Sequence, residues 1–220
     1  MGQDIMSALQ VTEEWLDWES TGAKLTLGDA SETLRIRGIS LEARDAALGI
    51  VRDQLALGSS LMDALKEAIT LGASEELPVG SLMSNDVILV DASHVTQASP
   101  AVDITKSVSA LARGTRRVVA VAGTLDFSGE SDYDNLSAFG ALMVRLNVTQ
   151  VFAVGRGARA LFLSVGMEGS WDGESRFCED SDSAYDDIRA HIRPGDVVLV
   201  LGSTDEPLSE MVEKLKADLS

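Results

Sequence analysis

Arg116-Arg-Val-Val-Ala-Val-Ala-Gly123 sets the fold of this 220-residue chain. Five consecutive apolar residues, three of them valine, lie between a basic pair and a glycine. A strand buried on both faces of a parallel sheet reads this way, because neither face has to present polar groups to water. The reading recurs at Val148-Thr-Gln-Val-Phe-Ala-Val154, which runs into Gly155, and at Asp196-Val-Val-Leu-Val-Leu201, which runs into Gly202. Asp86 to Ser93 adds a fourth strand, Val-Ile-Leu-Val followed by Asp91. Helical patterning follows each glycine turn, so the repeated unit is strand, turn and helix. The fold class predicted is α/β, a Rossmann-like, mainly parallel sheet flanked by helices. Ligands of such sheets gather at the carboxyl ends of the strands, which makes these turns the place to look for function.

Upstream of that unit the pattern changes. Glu14–Glu19, Ala23–Leu27 and Leu34–Arg37 alternate on a small scale, with Gly22, Gly28 and Asp29 as turns, and predict a β-meander. Ser40 is positioned to cap a helix from Leu41 to about Leu57, with Ala46, Ala47, Ile50, Val51 and Leu55 on its apolar side. Gly58 stops it. Ser60 starts a second helix through Leu71, striped by Leu61, Leu65, Ala68 and Ile69. Pro78 and Gly80 mark a loop, and the domain boundary is expected just before Asn85 and Asp86, dividing the chain into residues 1–84 and 85–220. Later helices are predicted from Pro100 to Arg113, Tyr133 to Leu146, Ala158 to Val165, Ser181 to His191 and Leu208 to Leu219, the last presenting Leu208, Met211, Val212 and Leu215 inward.

Composition removes several classes of partner. With 35 acidic against 18 basic residues the formal charge is -17, which opposes a nucleic-acid backbone or an anionic membrane surface. A single cysteine, Cys178, excludes an internal disulfide, and His94 and His191 are too few and too far apart in sequence to suggest zinc. Met1 to Gln10 has neither a basic start nor an apolar run, no stretch reaches membrane-spanning length, and a cytoplasmic address is expected.

Four stretches bear on chemistry. Gly155-Arg-Gly157-Ala-Arg-Ala160 satisfies the dinucleotide pattern G-x-G-x-x-A, but it lies late in the sheet and lacks an acidic partner at the usual distance, so a helix-starting turn is the simpler reading. Gly202-Ser-Thr-Asp-Glu206 could form an anion nest of backbone N–H groups, although Asp205 and Glu206 oppose an anion. No G-x-x-x-x-G-K-[ST] motif occurs, so ATP chemistry by these residues alone is not expected. Asp91-Ala-Ser93-His94 ends a strand, where His94 could meet a ribose or a phosphate. Neither histidine has a G-x-S-x-G partner for a nucleophile, and the acids between Glu168 and Asp187 show no calcium-loop spacing.

Taken together, these segments resemble the carboxyl-terminal half of the Mur ligase family, closest to its MurF branch. Arg193-Pro-Gly-Asp-Val-Val-Leu-Val-Leu-Gly-Ser203 resembles K-P-G-D-V-V-L-V-K-G-S and is the most specific match. Val90-Asp91-Ala-Ser93-His94 through Pro100 resembles D-D-S-Y-N-A-N-P, Val121-Ala-Gly123 through Gly129-Glu130 resembles L-G-D-M-x-E-L-G-E, and Leu77-Pro-Val-Gly80-Ser-Leu resembles P-x-G-R-L. Gly2-Gln-Asp4-Ile-Met-Ser-Ala and Arg37-Gly38 resemble segments of the family's central domain. The departures fall on polar positions: Thr124 for aspartate, Leu136 for histidine, Leu201 and Thr204 for the lysine and arginine of K-G-S-R, and Ser81 for arginine.

The resemblance implies a Mur ligase C-terminal domain over 85–220, preceded by a small α+β remnant of the central domain. It implies ATP-dependent amide-bond formation adding D-alanyl-D-alanine to a peptidoglycan precursor, with ATP and magnesium as the family's cofactors, and no activity by these residues alone, since the P-loop and the UDP-sugar domain are missing from them. Asp91, Ser93 and His94 are then the nucleotide-side contacts and Gly202 and Ser203 the substrate-side contacts. No catalytic residue, metal ligand or cofactor is assigned to the chain alone. The alternative is a degenerate, non-catalytic relative that binds a cell-wall enzyme. Partners expected are the missing ligase domains, such an enzyme, or a second copy covering Trp15, Trp18 and the helix from Leu41, with no nucleic acid and no membrane insertion.

Overall fold

The apolar runs become neighbouring strands of one sheet. The structure, a computed structural model, describes residues 8–72, 76–128, 132–167 and 171–220. Gly2–Ser7 and Gly129–Glu130, which carry part of the family resemblance, lie outside the described residues. The chain divides into two compact units, residues 1–79 and 80–220.

In the first unit, β1 (Leu9–Leu16), β2 (Ser20–Leu27) and β3 (Ala30–Arg37) form an antiparallel meander. α1 (Leu41–Ala56) and α2 (Leu61–Gly72) bury Ala47, Leu48, Val51, Leu55, Leu61, Ala64, Leu65 and Ala68 with Ala23, Leu25, Leu34 and Ile36. The Ser40 hydroxyl accepts the Ala43 N–H at 2.9 Å, the expected N-cap. Leu48 and Ala64 belong to the core, whereas Ala46 and Ile69, expected there, are exposed. Trp15 is half-buried, its ring lying on Gly22, and its indole N–H reaches the Ser20 hydroxyl at 3.4 Å.

The second unit begins earlier than the sequence suggests. Gly80–Leu82 is β4, antiparallel to β5 (Ile88–Ala92) through Gly80↔Val90 and Leu82↔Ile88, so the division falls after Val79 rather than at 84/85. Three residues are too few to show alternation, and the Pro78 and Gly80 punctuation reads as loop. The remaining elements are α3 (Ala98–Ala112), β6 (Val118–Ala122), α4 (Asp132–Arg145), β7 (Gln150–Val154), α5 (Arg159–Met167), β8 (Glu174–Cys178), α6 (Ser181–His191), β9 (Val197–Leu201) and α7 (Ser209–Asp218). α6 is capped by Asp180: its carboxylate accepts the Ser183 N–H at 2.8 Å in a capping box.

The sheet order is β4-β5-β9-β6-β7-β8, parallel except for β4. β6, β7 and β9 are buried along their whole length, as fully covered strands must be. The connections β5–β6, β6–β7 and β7–β8 step in one direction and β8–β9 returns, so right-handed crossovers put α3, α4 and α5 on one face and α6 on the other. With α6 and α7 pack Leu89, Val119, Val121, Phe152, Val154, Val198 and Val200, the alternate residues of their strands. The return connection is what inserts β9 between β5 and β6. No helix among the described residues is long and apolar enough to cross a membrane.

Candidate functional site

Insertion of β9 brings two stretches more than a hundred residues apart in sequence side by side. Ala92 of β5 lies opposite Leu201 of β9, so the turn carrying Ser93 and His94 meets the turn carrying Gly202 and Ser203. Gly202 donates its N–H to the Val95 carbonyl at 2.9 Å. The residues assigned from sequence to a nucleotide side and a substrate side therefore share one ledge.

Each of them is already engaged. Asp91 Oδ1 accepts the Ser93 N–H at 3.1 Å and the Ser93 hydroxyl at 2.7 Å, while Oδ2 accepts Lys216 Nζ at 2.8 Å. Lys216, on α7, also donates to Glu213 at 2.7 Å. His94 is exposed on the turn. Ser203 Oγ donates to Asp205 Oδ1 at 2.7 Å and accepts the N–H groups of Thr124 and Glu206, each at 3.2 Å. One donor and two acceptors exhaust a hydroxyl's capacity, so Ser203 is a structural hub and not a free nucleophile.

Sequence reasoning missed Lys216 and the bonding roles of Thr124, Asp205 and Glu206. Glu206 accepts the Ser181 N–H at 3.0 Å, placing a carboxylate at the start of α6. The Asp205 carboxylate sits against Gly157, where an added Cβ would come within 2.7 Å of Oδ2 and 2.0 Å of Thr124 Oγ1. The G-x-G-x-x-A turn is thus closed by the chain's own acid in the space a pyrophosphate would need. Only the adjacency of Asp205 and Glu206 to Ser203 could have suggested this, because what they cap depends on the strand order.

Burial raises the Asp205 and Asp91 carboxyls, but hydrogen bonding outweighs it and both end below the ordinary carboxylate range. For Asp205 the donor in place is the Ser203 hydroxyl; for Asp91 the donors are Lys216 and Ser93. Asp126, exposed and accepting from Ser128 N–H and Gln97, is lowered as well. Cys178 is buried, and its thiol is pushed up to about 12, first by burial and then by the Asp187 carboxylate, so it is no nucleophile at neutral pH. The ledge is acidic, built from Asp91, Asp126, Asp205 and Glu206. Such a surface repels phosphate and attracts an ammonium group. No group of three side chains suited to a metal occurs among the described residues, and the carboxylates present are spent on N–H, O–H and ammonium donors, so this donor set does not fit magnesium.

The Asp91 bonds give a pH signature. A carboxyl lowered in the folded state adds stability above its unfolded value near 4 and loses it as pH falls through the lower folded value. Asp91→Asn should cost about 1 kcal/mol at pH 7, since the site is only half-buried. In urea titrations the gap between variant and parent should close below about pH 4. A gap independent of pH would mean that Asp91 acts by shape alone.

A mainly parallel sheet with helices on both faces defines an α/β, Rossmann-like architecture. Its family follows from the sequence profile described as "Mur ligase, glutamate ligase domain", which matches residues 78–204, more than half of the chain; the chain belongs to that family. It is 36% identical over 105 residues to the UDP-N-acetylmuramoyl-tripeptide--D-alanyl-D-alanine ligase of Mycobacterium leprae, a match covering 47% of this chain and 20% of that one. The ligase of the same name from Mycobacterium tuberculosis is 33% identical over 117 residues, covering 47% and 23%. Among solved structures, MurF from Acinetobacter baumannii superposes with a TM-score of 0.67 at 19% identity, over 96% of this chain and 45% of that one. MurF from Thermotoga maritima in complex with ADP gives 0.59 at 17%, over 96% and 47%. The chain spans less than half the length of these relatives.

Proposed function

We propose that this polypeptide serves as the carboxyl-terminal module of a MurF-like ligase that forms an amide bond to D-alanyl-D-alanine with ATP, and that these 220 residues do not turn over ATP by themselves. The observation that supports the reading best is the 36% identity to such a ligase over 105 residues. In this role the ledge holds the amine component. Asp126, Asp205 and Glu206 accept only neutral donors among the described residues and so keep a negative field that favours an ammonium end, and binding the dipeptide there would bring its amine to an acyl donor with its orientation already fixed. Phosphoryl transfer needs lysine, backbone donors and a metal around the phosphates, and the ledge supplies none of these in free form.

A second reading, a non-catalytic relative kept for binding another protein, has its own support. Leu136 and Leu201, at positions where the family resemblance places a histidine and a lysine, are core residues with 1% and 0% exposure. Thermal unfolding with D-alanyl-D-alanine, with Mg-ATP and with neither separates the two. Dipeptide at 100 times its dissociation constant should add roughly 2.7 kcal/mol of stability if the first reading holds. No shift with either ligand favours the second, and ATP hydrolysis by the purified chain would overturn the claim of inactivity.

A further inference from the structure

The opposite end of the sheet has a groove that the ledge does not use. It lies at the amino-terminal ends of β6, β7 and β8, has a volume of about 530 Å³, and is lined by Arg116, Arg145, Asn147, Thr149, Trp171 and Asp172, among others. That volume is within the range of small-molecule sites. Its lining places two guanidinium groups, those of Arg116 and Arg145, around one tryptophan on a chain of charge -17.

Two of its walls are fixed. Trp171 donates its indole N–H to the Val148 carbonyl at 2.9 Å. The ring also lies on Gly173, where an added Cβ would come within 2.1 Å of ring carbon Cε2, so only glycine fits beneath it. Arg116 is held by the Asp86 carbonyl at 2.6 Å, the Asp86 carboxylate at 2.9 Å and the Gly195 carbonyl at 3.1 Å. Arg145, in the last turn of α4, is exposed and has no ion-pair partner among the described residues. The carbonyls at the end of that helix are met by backbone: Asn147 N–H donates to Val144 at 3.0 Å and Val148 N–H to Met143 at 3.0 Å. Arg145 is therefore not needed to cap its own helix.

A pinned indole beside one held guanidinium and a second, Arg145, that is exposed and in no ion pair of the described residues suits a flat, anionic molecule. The ring supplies a stacking face with little conformational entropy to lose, and guanidinium pairs planar oxyanions through two parallel N–H groups. We propose that this groove binds a small aromatic anion, an aryl phosphate or aryl carboxylate, with its ring on Trp171 and its oxyanion at Arg145. The site is separate from the acidic ledge and does not depend on the function proposed for it.

The test is a titration of the isotopically labelled chain with phenyl phosphate, following the three tryptophan indole resonances. Trp171→Phe assigns the one that matters, and Trp15 and Trp18 serve as internal controls. The expected result is a saturable shift of the Trp171 indole, at least tenfold weaker binding in Arg145→Gln, and weaker binding of inorganic phosphate and of phenol than of phenyl phosphate. Arg145 is exposed, so its replacement leaves the fold intact. Absence of saturation at millimolar ligand, or equal affinity in Arg145→Gln, would overturn the proposal.

Discussion

Arg117→Met is expected to destabilise the second unit by about 3–5 kcal/mol, read as a lowered urea midpoint with an unchanged denaturant slope. Arg117 pairs with Asp196 through Nε to Oδ1 at 3.0 Å and Nη2 to Oδ2 at 2.6 Å, and Nη2 also donates to the His191 carbonyl at 2.8 Å. The Asp196 side chain is 3% exposed and takes a further bond from Arg193 N–H at 2.8 Å. Methionine fills much of the volume but leaves a buried carboxylate with one donor, which costs more than the ion pair itself contributes. Asp196→Asn keeps the turn and removes the stranded charge, so its loss should be smaller. If the two variants unfold at the same midpoint, burial of an unpaired charge is not the cause.

That pair also shows how far the sequence could be read. Arg116-Arg117 and Arg193-Pro-Gly-Asp196 each announce the start of a buried strand, and both readings hold in β6 and β9. That they touch depends on β9 lying beside β6, which hydrophobic periodicity cannot express, because any parallel order of the same strands would show the same apolar runs. The ledge follows the same logic. Asp91, Ser93, Gly202 and Ser203 were legible from their place after strands, while Lys216 reads as one more charged residue on an amphipathic helix until α7 brings it to 2.8 Å from Asp91. Ala46 and Ile69 were misplaced for a different reason: a helix face two residues wide can be rotated without changing the pattern, and Leu48 and Ala64 took the inward positions. The dinucleotide pattern at Gly155 was right about the turn and silent about its occupant, since the acid that closes it arrives from forty-odd residues downstream.

The ledge itself is most sharply tested at Gly202. A Cβ there would lie 2.6 Å from the Val95 carbonyl oxygen and 2.8 Å from that of Ser93, and both obstacles are backbone that cannot swing aside. Gly202→Ala should therefore push the β5 turn away from β9 at a cost of roughly 2–3 kcal/mol, and Gly202→Val should cost more. Separation would weaken the Gly202 to Val95 hydrogen bond and slacken the Asp91–Ser93 turn held above it. Amide resonances of residues 91–97 and 202–206 should then shift together. Gly49→Ala is the control. It sits inside α1 with nothing within 4 Å of the added carbon, and should stabilise the first unit by up to about 1 kcal/mol through helix propensity. If D-alanyl-D-alanine binds at the ledge, Gly202→Ala should lose that binding under conditions where the chain remains folded. Retained binding with a displaced turn would place the dipeptide elsewhere on the domain.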